Sequence, residues 1–231
     1  MKNAPPVYDK DGVHILDPAD KLGHKSKYIT VLQNIALNKI IPAPYGERRA
    51  IDLGCGWGRL TDILAKKGWE VIGIDPDDSQ INYAKDNFSD LEFRVGGLPD
   101  IPVDKSSQDL ILLNNVLRTL LLLKSEDWAS TIHEYLKPAG KLIVVENAKL
   151  NSDQHFDSPT LIHFFEKQGL HYVGKTNFRA SRNPLLVPIK YGLLPEGIFE
   201  PLAKLEVAIL NSISSDPRLQ YYNTAYTFSN S

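Results

Sequence analysis

Apolar runs separated by polar, glycine- and proline-bearing breaks divide this chain into an alternating series of strands and helices. Residues 50–53 read as a short strand, and Gly54, Gly56 and Gly58 follow at alternate positions. Leu60, Ile63 and Leu64 then recur at helical spacing, with Gly68 as the stop. A second strand over 70–74 ends on Asp75, after which Asp77 and Asp78 cap a helix over 79–87. A third strand, 91–95, leads into Gly96-Gly97-Leu98-Pro99. The continuous apolar run 109–113 has the character of a central parallel strand and carries Asn114 and Asn115 to its carboxyl end. Residues 117–123 are apolar enough for a buried helix, and helix 125–136 places Trp128, Ile132 and Tyr135 at core spacing. The turn 137–140 introduces a fifth strand over 141–145, from which Glu146 and Asn147 emerge. Helix 158–168 and strand 171–178 continue the alternation.

The two flanks break this rhythm. Residues 1–23 are polar and turn-rich, and a helix then runs from 24 to about 41 with Tyr28, Val31, Leu32, Ile35 and Ala36 on one stripe, ended by Pro42 and Pro44. Residues 183–197 are apolar yet full of helix breakers, and an amphipathic helix over 201–213 follows them. The last strand, 220–228, alternates and is expected to pair antiparallel with its predecessor. The pattern predicts a single α/β domain over 1–231, a mostly parallel seven-stranded sheet with helices on both faces and the last strand antiparallel. A helical N-terminal cap over 1–46 and an insertion over 179–217 complete it. Such an insertion serves substrate choice or contact between two copies, so a homodimer is one of its outcomes. Residues 183–213 and the 24–41 helix are expected to close over the pocket.

The chemistry concentrates at the glycine turn, where a backbone without Cβ can bend tightly and let a ligand lie against the main chain. A dinucleotide fingerprint needs G-x-G-x-x-G, but its third slot falls on Arg59 from Gly54 and on Thr61 from Gly56. A phosphate loop ending in Gly-Lys-Ser/Thr is also missing from the chain. Asp52, beside the turn, would repel a pyrophosphate and suits a cationic ligand. S-adenosylmethionine, with its sulfonium and ammonium and no phosphate, is such a ligand.

Ile51-Asp-Leu-Gly-Cys-Gly-Trp-Gly58 resembles the first motif of the class I S-adenosylmethionine-dependent methyltransferases. Val71-Ile-Gly-Ile-Asp75 resembles their second, Asp109-Leu-Ile-Leu-Leu113 their fourth, and residues 136–145 the strand-entry motif that follows. The resemblance covers roughly residues 48–180 and implies S-adenosylmethionine as cofactor, held by Asp52, Gly54, Cys55, Gly56, Gly58, Asp75, Pro76, Gly97, Leu98 and Asn114. Asp75, ending the second strand, would accept from the ribose hydroxyls. The chain departs from the family at Gly97, where relatives carry an acid that holds the adenine amino group. It departs again after Val116-Leu117, where small-molecule relatives place a histidine and this chain has Arg118-Thr119.

Bulk properties narrow the acceptor. A net charge of −2 argues against a nucleic-acid substrate, and the single Cys55 leaves no internal disulfide or multi-cysteine metal site, so no metal is expected. The chain starts without the apolar core of a signal peptide and has no run of membrane-spanning length, which makes a cytoplasmic location the default. These features favour a small-molecule or saccharide acceptor methylated on a hydroxyl. Methylation of nucleic acid or protein, and a nucleotide-binding Rossmann oxidoreductase, are the competing functions. A general base must stand at the carboxyl edge of the sheet. His155 lies in the loop leaving the fifth strand, flanked by Asp153 and Asp157, and is expected to deprotonate the acceptor with Glu146 positioning it.

Overall fold

The protein is described from a computed structural model, in which residues 20–41, 43–44, 48–117, 120, 127–149, 157–180, 183–213 and 221–230 are placed. The strands are β1 (Arg49–Leu53), β2 (Glu70–Asp75), β3 (Glu92–Val95), β4 (Gln108–Asn114), β5 (Leu136–Lys149), β6 (Leu170–Ala180) and β7 (Tyr221–Asn230). The helices are α1 (His24–Ile40), α2 (Arg59–Lys66), α3 (Asp78–Asn87), α4 (Asp127–Tyr135), α5 (Ser158–Lys167), α6 (Leu186–Lys190) and α7 (Phe199–Ser212), with a 3₁₀ turn at Glu196–Ile198. The expected alternation is therefore present. Of the apolar run 117–123, all but Leu117 and Leu120 lies outside the described residues.

All seven strands form one sheet in the order β3-β2-β1-β4-β5-β7-β6, with the last strand antiparallel. β1 pairs parallel with β2 on one side and β4 on the other, so the winding reverses between β1 and β4. In an open α/β sheet, ligands bind at the carboxyl ends of the strands at that reversal. Here those ends are Leu53 and Asn114, with Asp75 next along. Leu110, Ile111, Leu112 and Leu113 of β4 are all buried, as a strand covered on both faces requires.

The turn expected at 137–140 is instead an irregularity inside a longer strand. Gln108 pairs with Leu136 but Leu110 pairs with Lys141, so four residues of β5, 137–140, stand opposite the single Asp109 of β4. Ala139 has φ of 61°, and a Cβ on Gly140 would sit 2.8 Å from the Lys137 carbonyl oxygen. The kink is held by the Lys137–Asp109 ion pair at 2.7 Å and by the Asn230 amide, which donates to the Leu136 and Lys137 carbonyls.

The chain divides into two compact units, residues 1–41 with 176–224, and 42–175 with 225–231. In the second, Ile51, Leu113, Leu142 and Val144 pack with Trp128, Ile132 and Phe165 of α4 and α5, and with Tyr226 and Phe228. In the first, the edge of the Tyr28 ring meets Phe199 at 5.5 Å, which joins α1 to α7. The helix expected over 24–41 and the helical insertion thus belong to one unit. The buried face of α1 comprises Tyr28, Ile29, Leu32, Ala36 and Leu37, while Val31 and Ile35 are half-buried. The stripe is rotated from the expected one because Ile29 and Leu37, rather than Val31 and Ile35, complete the buried face.

Candidate active site

Three successive glycines of the turn have positive φ, 78° at Gly54, 55° at Gly56 and 85° at Gly58. The three serve different purposes. A Cβ on Gly54 would lie 2.2 Å from Val116 Cγ1, and one on Gly58 would lie 2.8 Å from the Phe93 ring. Both are needed for the protein's own packing. Among the described residues a Cβ on Gly56 would meet only the flexible end of Gln80, at 3.0 Å, so this is the position that keeps the turn open.

Asp75 closes the turn. Its Oδ2 accepts from the Gly56 N–H at 2.9 Å and its Oδ1 from the Asp77 N–H at 3.0 Å. Each oxygen keeps a second lone pair for another donor. Asp77 in turn caps α3 by accepting from the Ser79 N–H at 2.9 Å, so one acid holds the turn and the next holds the helix after it.

Asp52 is 1% exposed and accepts from the Thr61 hydroxyl at 2.8 Å, tying β1 to α2. Burial raises its carboxyl pKa from the ordinary 3.8 to about 6; Thr61 and the Arg59 charge pull it back, and Asp75 adds to the rise. An acid with a raised folded pKa stabilises the protein below its unfolded value and loses that contribution as pH climbs through the folded one. Wild-type stability should accordingly fall by about 2 kcal/mol between pH 4 and pH 7 from this group, taking 1.36 kcal/mol per pKa unit. Asp52→Asn should flatten that fall in denaturant midpoints measured across the window. A slope equal to that of the wild type would refute the assignment.

Cys55 lies in the turn with its thiol 3.6 Å from the Gly56 carbonyl oxygen. Burial, then the Asp52 and Asp75 charges, push the thiol pKa far up, so it is an inert small side chain. Pro76 faces Gly97, whose added Cβ would meet only the Pro76 ring at 3.9 Å. Leu98 packs against the main core, and Asn114 ends β4 opposite Val145.

Glu146 follows Val145 at the same edge and is 8% exposed. Its Oε1 accepts from the Asn147 N–H at 2.9 Å, while Oε2 is buried and makes no hydrogen bond among the described residues. Burial holds the carboxyl above its usual range, with the Asn147 and Leu117 amides pulling the other way. An unpaired buried oxygen costs about 1–3 kcal/mol, which an incoming donor would relieve. His155 lies outside the described residues. Of the other histidines, His163 and His171 are exposed and His133 is half-buried against Gly169. Sequence reasoning passed over Gln80 and gave Thr61 and Val116 no part at the turn; each acquires its place there only through folding.

Residues 51–144 match the family model described as a methyltransferase domain. An uncharacterized methyltransferase of Schizosaccharomyces pombe is 31% identical over 103 residues, which is 44% of this chain and 40% of that protein. Among solved structures, geranyl diphosphate C-methyltransferase from Streptomyces coelicolor superposes with a TM-score of 0.65 at 13% identity, covering 98% of this chain and 90% of that one. Haemonchus contortus phosphoethanolamine N-methyltransferase 2, solved with S-adenosylmethionine, gives 0.61 at 16% identity over 86% of this chain and 52% of that one. The chain spans about half or less of the length of the curated relatives it matches first. Residues 51–144 are a methyltransferase domain, and the chain has the fold of the class I S-adenosylmethionine-dependent methyltransferases. Among the described residues, no helix is long and apolar enough to cross a membrane.

Proposed function

We propose that this protein transfers the methyl group of S-adenosylmethionine to a hydroxyl of a small molecule or saccharide. The observation that carries the cofactor reading is the turn itself, open at Gly56 and clamped to the acid that ends β2. Two acids, Asp52 and Asp75, flank it, which fits a cationic ligand without phosphates. Gly56 would lie under the ligand, Asp75 would take the ribose hydroxyls, and Pro76, Gly97 and Leu98 would frame the adenine. The cofactor, when bound, supplies an electrophilic methyl group.

The chain's own part is alignment, exclusion of water and proton handling. Holding two reactants in line is worth roughly 7–11 kcal/mol. Glu146, with one oxygen unpaired among the described residues at the carboxyl edge, would accept a hydrogen bond from the acceptor and fix it there. His155, nearby in sequence, would remove the hydroxyl proton. His155→Ala should cut turnover by about 10²–10⁴ once an acceptor is found, the usual contribution of a general base. Wild-type rates for that variant across pH 6 to 9 would discard the base assignment.

Gly97 offers a test by gain. It needs no left-handed backbone and has space for a side chain, yet it lacks the acid that would hold the adenine amino group. Gly97→Asp should therefore tighten S-adenosylmethionine binding about three- to tenfold, as expected for one added hydrogen bond of about 1 kcal/mol. Calorimetry showing weaker binding would mean that the adenine lies elsewhere. A nicotinamide nucleotide binding in place of S-adenosylmethionine would favour the oxidoreductase reading.

A further inference from the structure

The unit formed by residues 1–41 and 176–224 contains a cavity of about 320 Å³. Its apolar wall consists of Leu202, Leu205, Ile209 and Ile213 of α7 and the turn after it, with Pro184 and Leu185. These α7 positions recur every three or four residues, and Leu205, Ile209 and Ile213 are 58%, 47% and 40% exposed. The other stripe of the helix, Phe199, Ala203, Val207 and Leu210, is already buried. A surface helix needs one apolar stripe to pack on its domain, and this one has two.

One carboxylate interrupts the apolar wall. Glu206 lines the cavity with Asn183, accepting at Oε2 from the fully buried Tyr28 hydroxyl and at Oε1 from the Asn183 amide, both at 2.7 Å. These two donors fix the carboxylate and leave each oxygen a lone pair. Burial holds the Glu206 carboxyl above its usual range, with the Tyr28 and Asn183 hydrogen bonds and then the Arg179 charge pulling the other way. A volume of about 320 Å³ sits at the small end of ligand pockets, roughly 300–1,000 Å³.

We propose that this cavity binds a small aliphatic or alicyclic molecule bearing a hydroxyl, which donates to Glu206 while the apolar body lies along Leu202, Leu205, Ile209 and Ile213. The apolar residues of the wall reject polar groups, and the one carboxylate fixed among them, with a lone pair left on each oxygen, rewards a single donor on an otherwise apolar molecule. Binding is measured without S-adenosylmethionine, so that its failure leaves the catalytic reading untouched.

Displacement of Nile red from the full chain by 1-decanol and by decyl methyl ether tests it, since the ether keeps the chain and lacks the donor. Saturable displacement is expected, with the alcohol effective at a concentration at least fivefold below the ether. Ile209→Glu, at a position already 47% exposed, should fold normally by circular dichroism and lose dye and alcohol together. Glu206→Leu should retain the dye and lose the preference for alcohol over ether. Equal potency of the two ligands, undiminished binding by Ile209→Glu, or absence of saturable displacement would each overturn the proposal. So would a wild-type dimer in sedimentation that Ile209→Glu dissociates while no alcohol binds, since the stripe would then be an interface between copies.

Discussion

Gly56→Val is expected to abolish detectable S-adenosylmethionine binding while leaving a cooperative, native-like unfolding transition. Gly56 has φ of 55°, a region where a β-branched side chain is strained by roughly 1–2 kcal/mol. The new Cβ would meet only the movable Gln80 amide, so the fold survives with a Tm lowered by about 2–8 °C. The isopropyl group would nevertheless stand where the ligand must approach the main chain. Gly58→Val would test nothing, because its side chain would strike Phe93 and damage the core. Titration calorimetry at matched protein folding decides the matter. Affinity within threefold of wild type would show that the cofactor does not lie on this turn.

Asp75→Ala is expected to weaken the same binding by at least a hundredfold. Two losses combine. A hydrogen bond from ribose to a charged acceptor is worth about 1.5–3 kcal/mol. The same carboxylate also receives the Gly56 and Asp77 N–H groups, and its removal leaves both without their acceptor and the turn without its clamp. Asp75→Asn should fall between alanine and wild type, because the amide keeps one acceptor oxygen but points its NH₂ at a donor. If Asp75→Ala binds as well as wild type, the ribose contact is wrong. If it binds weakly but Asp75→Asn is normal, the carboxylate charge is irrelevant and shape alone matters.

Much of the architecture was legible because each element carries its own signal. The unbroken run around Leu110–Leu113 could only be a central strand, and Asp77 before Ser79 marked the start of α3 as the structure has it. Element ends were less well defined. β5 begins five residues earlier than its hydrophobic pattern suggests, because a Pro-Ala-Gly kink was absorbed into the strand by Asn230 and Asp109, residues distant in sequence. The face of α1 was displaced for a similar reason: periodicity fixes that a helix is amphipathic, but its partners choose which of two adjacent stripes is buried.

The glycine turn shows the division most closely. Its spacing, with acids at positions 52 and 75, pointed to a ligand class by local rules alone, since alternate glycines and flanking carboxylates suit a cation and not a pyrophosphate. Folding decided what each residue does there. Gly54 and Gly58 are required by Val116 and Phe93, Asp52 is turned to Thr61, Gly56 keeps space beside it, and Asp75 clamps the turn with a lone pair left on each oxygen. Backbone conformation and charge are properties of a residue and its neighbours, and the sequence carries them. Which side chain fills the space beside a glycine, and which oxygen is without a partner among the described residues, as at Glu146, depends on contacts between segments far apart in the chain, and only the tertiary structure supplies those.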